Sequence, residues 1–134
     1  MLTSTTGVGE DETVPPAYLT LWDELAAEDI EVLAIRDTPR HGRNIPDCLA
    51  TNGALTRACD TVRDNVISQP PATEDVADIP GNVTLVDLTD SLCSAEICPP
   101  VIGNVIAFSD DDHLTATYSR TLADRLVRVA TVLN

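Results

Sequence analysis

Glu31-Val32-Leu33-Ala34-Ile35-Arg36 is a short apolar run closed at both ends by charge, and its reading decides the fold. Apolar residues without polar alternation, over so few positions, are the pattern of a strand buried on both faces of a parallel sheet. Val83-Thr84-Leu85-Val86-Asp87-Leu88 is a second run of this kind. Ahead of the first, Val14-Pro15-Pro16 opens a helix, since proline suits a first turn whose N–H groups have no partner. Tyr18, Leu21, Trp22, Leu25 and Asp29 share one face of that helix, which should end near Glu28 with Tyr18 and Trp22 in the core.

From Asp37 through Asn44 and Pro46 to Cys48 the pattern is that of a long loop, and a weak helix is expected over Leu55–Val66. Ser68 to Pro80, rich in proline and acid, reads as a surface connection. In Val101–Phe108, Gly103-Asn104 between apolar pairs signals a small hairpin. A last helix should begin near Thr115 as N-cap, with Leu114, Tyr118, Leu122, Leu126, Val129 and Leu133 as its apolar stripe. This order predicts an α/β layered domain with a parallel sheet, residues 1–13 forming a flexible lead and 14–134 the folded unit.

The 134 residues suffice for one domain, and their net charge of −14 argues against nucleic acid and anionic membrane surfaces as partners. No run reaches the ~18 apolar residues of a membrane span, and Met1–Thr13 lacks the basic start and apolar centre of a signal peptide. The cysteines point to an oxidising compartment. Cys48 with Cys59, and Cys93 with Cys98, read as two local disulfides, with free buried thiols and a zinc site as weaker alternatives.

Chemistry concentrates in Ser109-Asp110-Asp111-Asp112-His113-Leu114-Thr115. Asp-x-x-His spacing lets Asp110 fold back and hold one imidazole nitrogen of His113, leaving the other free to take a proton. Asp111 and Asp112 read as solvated acids before a helix, and neither a metal nor a cofactor is expected. Asp37 and Arg40, at the carboxyl end of the first strand, are candidates for substrate contact. The alternative is a turn cap and a surface ion pair. His41 reads as a loop histidine. No Gly-Asp-Ser or Gly-x-Ser-x-Gly elbow occurs, and Ser4, Ser68, Ser91, Ser94, Ser109 and Ser119 all lie outside such a setting.

Asp37-Thr38-Pro39-Arg40, Cys98-Pro99-Pro100-Val101-Ile102-Gly103-Asn104 and Asp110-x-x-His113-Leu114-Thr115, in this order, closely resemble the carboxy-terminal SGNH-type domain of acyltransferase family 3 proteins. The resemblance covers roughly Val14 to Leu126. It implies a flavodoxin-like SGNH hydrolase fold on the extracytoplasmic side of the membrane, joined to a multi-span acyltransferase. It also implies acylation, above all acetylation, of hydroxyls on cell-wall or surface polysaccharide. By the family pattern His113 is the general base and Asp110 its orienting acid.

The serine block and oxyanion-hole blocks of that pattern are missing, as is the membrane half. The expectation is therefore the later portion of an SGNH domain, inactive alone. Its partners would be the missing amino-terminal half, the membrane acyltransferase domain, and a polysaccharide or peptidoglycan acceptor. On this reading the Val32–Arg36 strand lacks a neighbour, and self-association through its exposed edge is expected. An SGNH esterase or deacetylase fragment is the nearest alternative. A non-catalytic extracellular module, binding glycan or a partner chain through the two cysteine loops, is another.

Overall fold

A computed structural model describes residues 2–4, 12–67, 70–71, 74 and 76–132. Strand β2 (Val32–Ile35) runs parallel to β4 (Val83–Val86), Val32 opposite Val83 and Ile35 opposite Val86. Both apolar runs thus become parallel strands, as their composition dictates. Helix α1 (Pro16–Ala27) has proline in its first turn and ends at Glu28. Its Trp22, fully buried, packs with Val32 and Ala34 on one face of the sheet.

The strand β1 (Leu2–Ser4) corrects two expectations. It pairs parallel with β2, Leu2 opposite Leu33 and Ser4 opposite Ile35, so these residues belong to the sheet and not to a flexible lead. The sheet order is β1-β2-β4, which makes β2 the central strand. The open edge expected at Val32–Arg36 does not exist, and self-association by that route loses its basis. The amino-terminal stretch is tied down again at Glu12. Its buried carboxylate grips Arg36 at 2.7 Å, and the same guanidinium reaches Asp87 at 3.0 Å.

Two further corrections lie between the parallel strands. The expected loop through Pro46 is helix α2 (Ile45–Asn52), N-capped by Asn44, whose side chain accepts from the Asp47 N–H at 3.0 Å. The expected helix over Leu55–Val66 is instead turns, the strand β3 (Thr61–Val62) and a 3-10 turn at Arg63–Asn65. Ser68, within the expected surface connection, lies outside the described residues, as does Leu133. After β4, α3 (Thr89–Leu92) leads to β5 (Ile97–Cys98), which pairs antiparallel with β3.

The hairpin forms as read: β6 (Val101–Ile102) and β7 (Val105–Ile106) pair antiparallel across Gly103 and Asn104. Both turn residues have positive φ, 57° and 64°, the geometry that favours a Gly-Asn pair there. The last helical stripe is split into α4 (Ala116–Thr121), N-capped by Thr115, and α5 (Ala123–Val132). Tyr118 and Leu122 are its buried members, in a second core cluster with Ile45, Leu49 and Phe108. No helix among the described residues is long and apolar enough to cross a membrane.

Cys48 is bonded to Cys59 and Cys93 to Cys98, and no described cysteine is free. The first bond ties α2 to the segment entering β3 across a separation of 11 residues. Loop-closure entropy assigns it about 3 kcal/mol. Reduction, or the paired substitution Cys48→Ala with Cys59→Ala, is expected to lower the Tm by roughly 10 °C. An unchanged melting curve would contradict the pairing.

Candidate active site

The residues 109–113 form a loop pinched shut at its base. Phe108 and Leu114 bridge antiparallel, the Ser109 N–H donates to the His113 carbonyl at 2.8 Å, and the Thr115 N–H donates to the Ala107 carbonyl at 2.8 Å. Within this loop Asp110 turns back on itself. Its Oδ1 accepts from the N–H groups of Asp112 at 3.0 Å and His113 at 2.7 Å. Its Oδ2 lies 2.8 Å from His113 Nδ1. Aspartate suits this turn because its short side chain reaches the backbone two and three residues ahead.

Asp112 is not the solvated acid expected. Its side chain is 16% exposed, with Oδ1 3.0 Å from His113 Nδ1 and Oδ2 2.6 Å from Arg40 Nη2. Nδ1 of His113 therefore faces two carboxylates, which only accept hydrogen bonds, and so it carries the proton. In the neutral ring Nε2 is then the lone-pair nitrogen. No described residue bonds it, and the side chain is 77% exposed. The two Asp110-directed N–H groups are the main cause that holds its carboxyl down at about 2, with His113 adding to it. The Asp110 carboxylate raises the His113 imidazole above its ordinary value, with Asp112 contributing in the same direction. Both side chains meet water, so these shifts concern proton affinity more than stability.

Asp110, Asp112 and His113 also bring three ligand-type atoms within 4.8 Å of one another. A cation there would need Nδ1 as a lone-pair donor and would displace the proton that the two carboxylates otherwise hold on it.

The strand-end candidates divide. Arg40 pairs with Asp112, so it buttresses the loop, while Asp37 caps its own turn by accepting from the Thr38 N–H at 3.1 Å. Asp37 also lines a cavity of about 190 Å³ at the carboxyl ends of β2 and β4, with Thr38, Leu88, Leu114 and Leu122. Burial pushes its carboxyl up. Among the serines, the Ser109 hydroxyl donates to the His113 carbonyl at 3.1 Å and the Ser94 hydroxyl to the Ile97 carbonyl at 3.1 Å. Ser91 Oγ is buried, and neither Ser91 nor Ser119 has a described contact with the imidazole.

Sequence reasoning missed His41. Its ring is buried, sits edge-on to Phe108 with centroids 4.3 Å apart, and places Nδ1 2.8 Å from Thr61 Oγ1. A lone histidine among polar neighbours carries no periodic signal of burial. Removal from water drives its pKa down to about 4, Arg43 adding to this while Asp111 and Asp60 pull the other way. Below the ordinary value of 6.5 the unfolded chain takes up a proton here that the folded chain refuses until about 4. The stability due to this group is thus full above 6.5 and lost as pH falls to about 4. Melting curves across that window should show a slope that His41→Asn lacks. Equal slopes in both proteins would contradict a neutral buried ring.

A family model for the SGNH domain (fused to AT3 domains) matches residues 2–128. The chain belongs to this family. No curated protein and no solved structure matches it. The mixed α/β fold with its parallel strand pair is compatible with an SGNH domain. The two disulfides agree with the cysteine pairing read from the sequence. The match begins at Leu2, so β1 lies within the SGNH region.

Proposed function

We propose that this SGNH chain contributes the general base and its orienting acid to acyl transfer onto hydroxyls of cell-wall or surface polysaccharide. The family's fusion to AT3 acyltransferase domains supports a membrane acyltransferase as partner. The observation that carries the reading is the tautomer imposed on His113. With Nδ1–H bound between Asp110 and Asp112, Nε2 is the nitrogen left to accept a proton.

In this scheme Nε2 takes the proton of a serine hydroxyl as that oxygen attacks the acyl carbonyl. Loss of the donor's leaving group, which takes the proton back, leaves an acyl-serine. The acceptor hydroxyl then gives its proton to Nε2 while it attacks the acyl-serine, and the proton returns to the serine as the ester forms. Asp110 keeps the ring in one orientation throughout and stabilises its cationic form. The described contacts of Ser94 and Ser109 are to backbone carbonyls and not to the imidazole ring. The two disulfides support an extracytoplasmic site.

One observation favours a second reading. The imidazole is largely open to solvent, and with water as acceptor the same groups make an esterase or deacetylase. The separating experiment joins this chain to its AT3 partner domain and supplies an acetyl donor with and without polysaccharide. Acetyl transferred to polysaccharide supports the transferase. Acetate release unaffected by polysaccharide supports the esterase. Neither product would contradict both.

A further inference from the structure

The segment 38–45 holds the catalytic loop by its backbone. The Ile45 N–H donates to the Asp110 carbonyl at 3.0 Å, the His41 N–H to the Asp111 carbonyl at 2.8 Å, and the Thr38 hydroxyl to the Asp112 carbonyl at 2.6 Å. Three successive carbonyls of the loop are thus fixed by one neighbouring stretch. Each bond is short, but all three depend on where that stretch lies.

Three side chains of this segment enter the core, Pro39, His41 and Ile45, and His41 is the one among them that carries a polar group inward. His41 is 4% exposed, whereas Arg40 and Arg43 on either side are exposed. Gly42, at φ +67°, makes the turn that lets the ring go inward while the chain continues on the surface. The ring meets Phe108, the residue at the base of the 109–113 loop, and Thr61, the residue of β3 paired with Cys98. Its Nε2 is buried with no partner among the described residues. An apolar ring would fill this place without that cost, so the hydrogen bond between Nδ1 and Thr61 Oγ1 is what the imidazole adds.

We infer that His41 is a positioning residue for the Asp110–His113 pair: its buried ring pins the 38–45 segment to Thr61 and Phe108, and that segment sets the loop carbonyls. The inference deepens the reading of His113 as base, but its test needs no turnover. If the transfer assay failed, the positions of the loop atoms would still be open to measurement.

The chain has two histidines, so ¹⁵N-histidine labelling gives two resolvable imidazoles. In the intact chain the neutral His113 ring is expected as the Nδ1–H tautomer. In His41→Ala the tautomer ratio should swing toward Nε2–H, and the His113 midpoint should drop toward the ordinary imidazole value. Trp22→Phe, which loosens the separate core cluster of Trp22, Val32 and Ala34, serves as the control and should leave His113 as in the wild type. A folded His41→Ala protein with an unaltered His113 tautomer and midpoint overturns the inference. So does Trp22→Phe if it moves His113 equally, because the effect is then general loosening. Should His41→Ala not fold, Thr61→Val decides by the same two readings, since it removes the hydrogen bond and keeps the ring.

Discussion

His113→Ala is expected to reduce acyl transfer by about 10²–10⁴-fold, the usual contribution of a positioned general base, while leaving the fold intact. The second half of that expectation comes from exposure: the side chain is 77% open to solvent and supports nothing above it. Asp110→Asn should cost less than His113→Ala. Asp112 Oδ1 also lies within 3.0 Å of Nδ1, so one carboxylate still orients the ring when the other is neutralised. Neutralising both, with Asp110→Asn and Asp112→Asn together, should approach the His113→Ala loss. Rates from the fused SGNH–AT3 protein measure all three. Full activity in His113→Ala, with protein of unchanged melting behaviour, would remove His113 from the chemistry.

The largest stability effect is expected at Arg36. Its guanidinium is held by Glu12 through Nε and Nη2 and by Asp87 through Nη1, with side-chain exposure of 6% for Arg36 and 4% for Glu12. Burial alone would weaken its charge, but hydrogen bonds to both carboxylates more than compensate and raise its pKa. Arg36→Ala strands the buried Glu12 carboxylate and should cost about 3–5 kcal/mol. The loss also frees the amino-terminal stretch from the carboxyl end of β2. Glu12→Gln keeps hydrogen-bonding capacity and removes the charge, so a smaller loss is expected. Denaturant midpoints give both values. A loss below about 1 kcal/mol in Arg36→Ala would mean the pair is as weak as an ordinary surface bridge.

The elements legible in the sequence were those with strong local signals. Val32–Ile35 and Val83–Val86 are apolar without alternation, and α1 has its proline start and its buried Trp22. The Gly103-Asn104 hairpin and the Thr115 cap follow local backbone rules. Asp110 and His113 were legible too, because their contact spans three residues and needs only one turn. What escaped depends on distant partners. Leu2-Thr3-Ser4 has no strand pattern of its own and becomes β1 only beside Leu33–Ile35. Arg40 and Asp112 meet across 72 residues, and nothing local announces the pair.

Helix α2 is a different kind of miss. Asn44 as cap and Pro46 in the first turn were both helix-start signals, but Pro and Asp together also suit a loop. Leu55 shows the converse, with helical spacing over Leu55–Val66 overridden by pairing of β3 with β5 and by the Cys48–Cys59 bond. His41 is the functional counterpart, a residue whose surroundings come from Thr61 and Phe108.

The central claim is that Asp110 fixes His113 with Nδ1 protonated and Nε2 free to act as base. Long-range ¹H–¹⁵N correlation across a pH titration of the wild-type chain tests it most directly. The expected result is a His113 midpoint above the ordinary imidazole value and, above that midpoint, a lone-pair shift at Nε2 with the proton on Nδ1. A midpoint at or below the ordinary value, with the proton on Nε2, would contradict it.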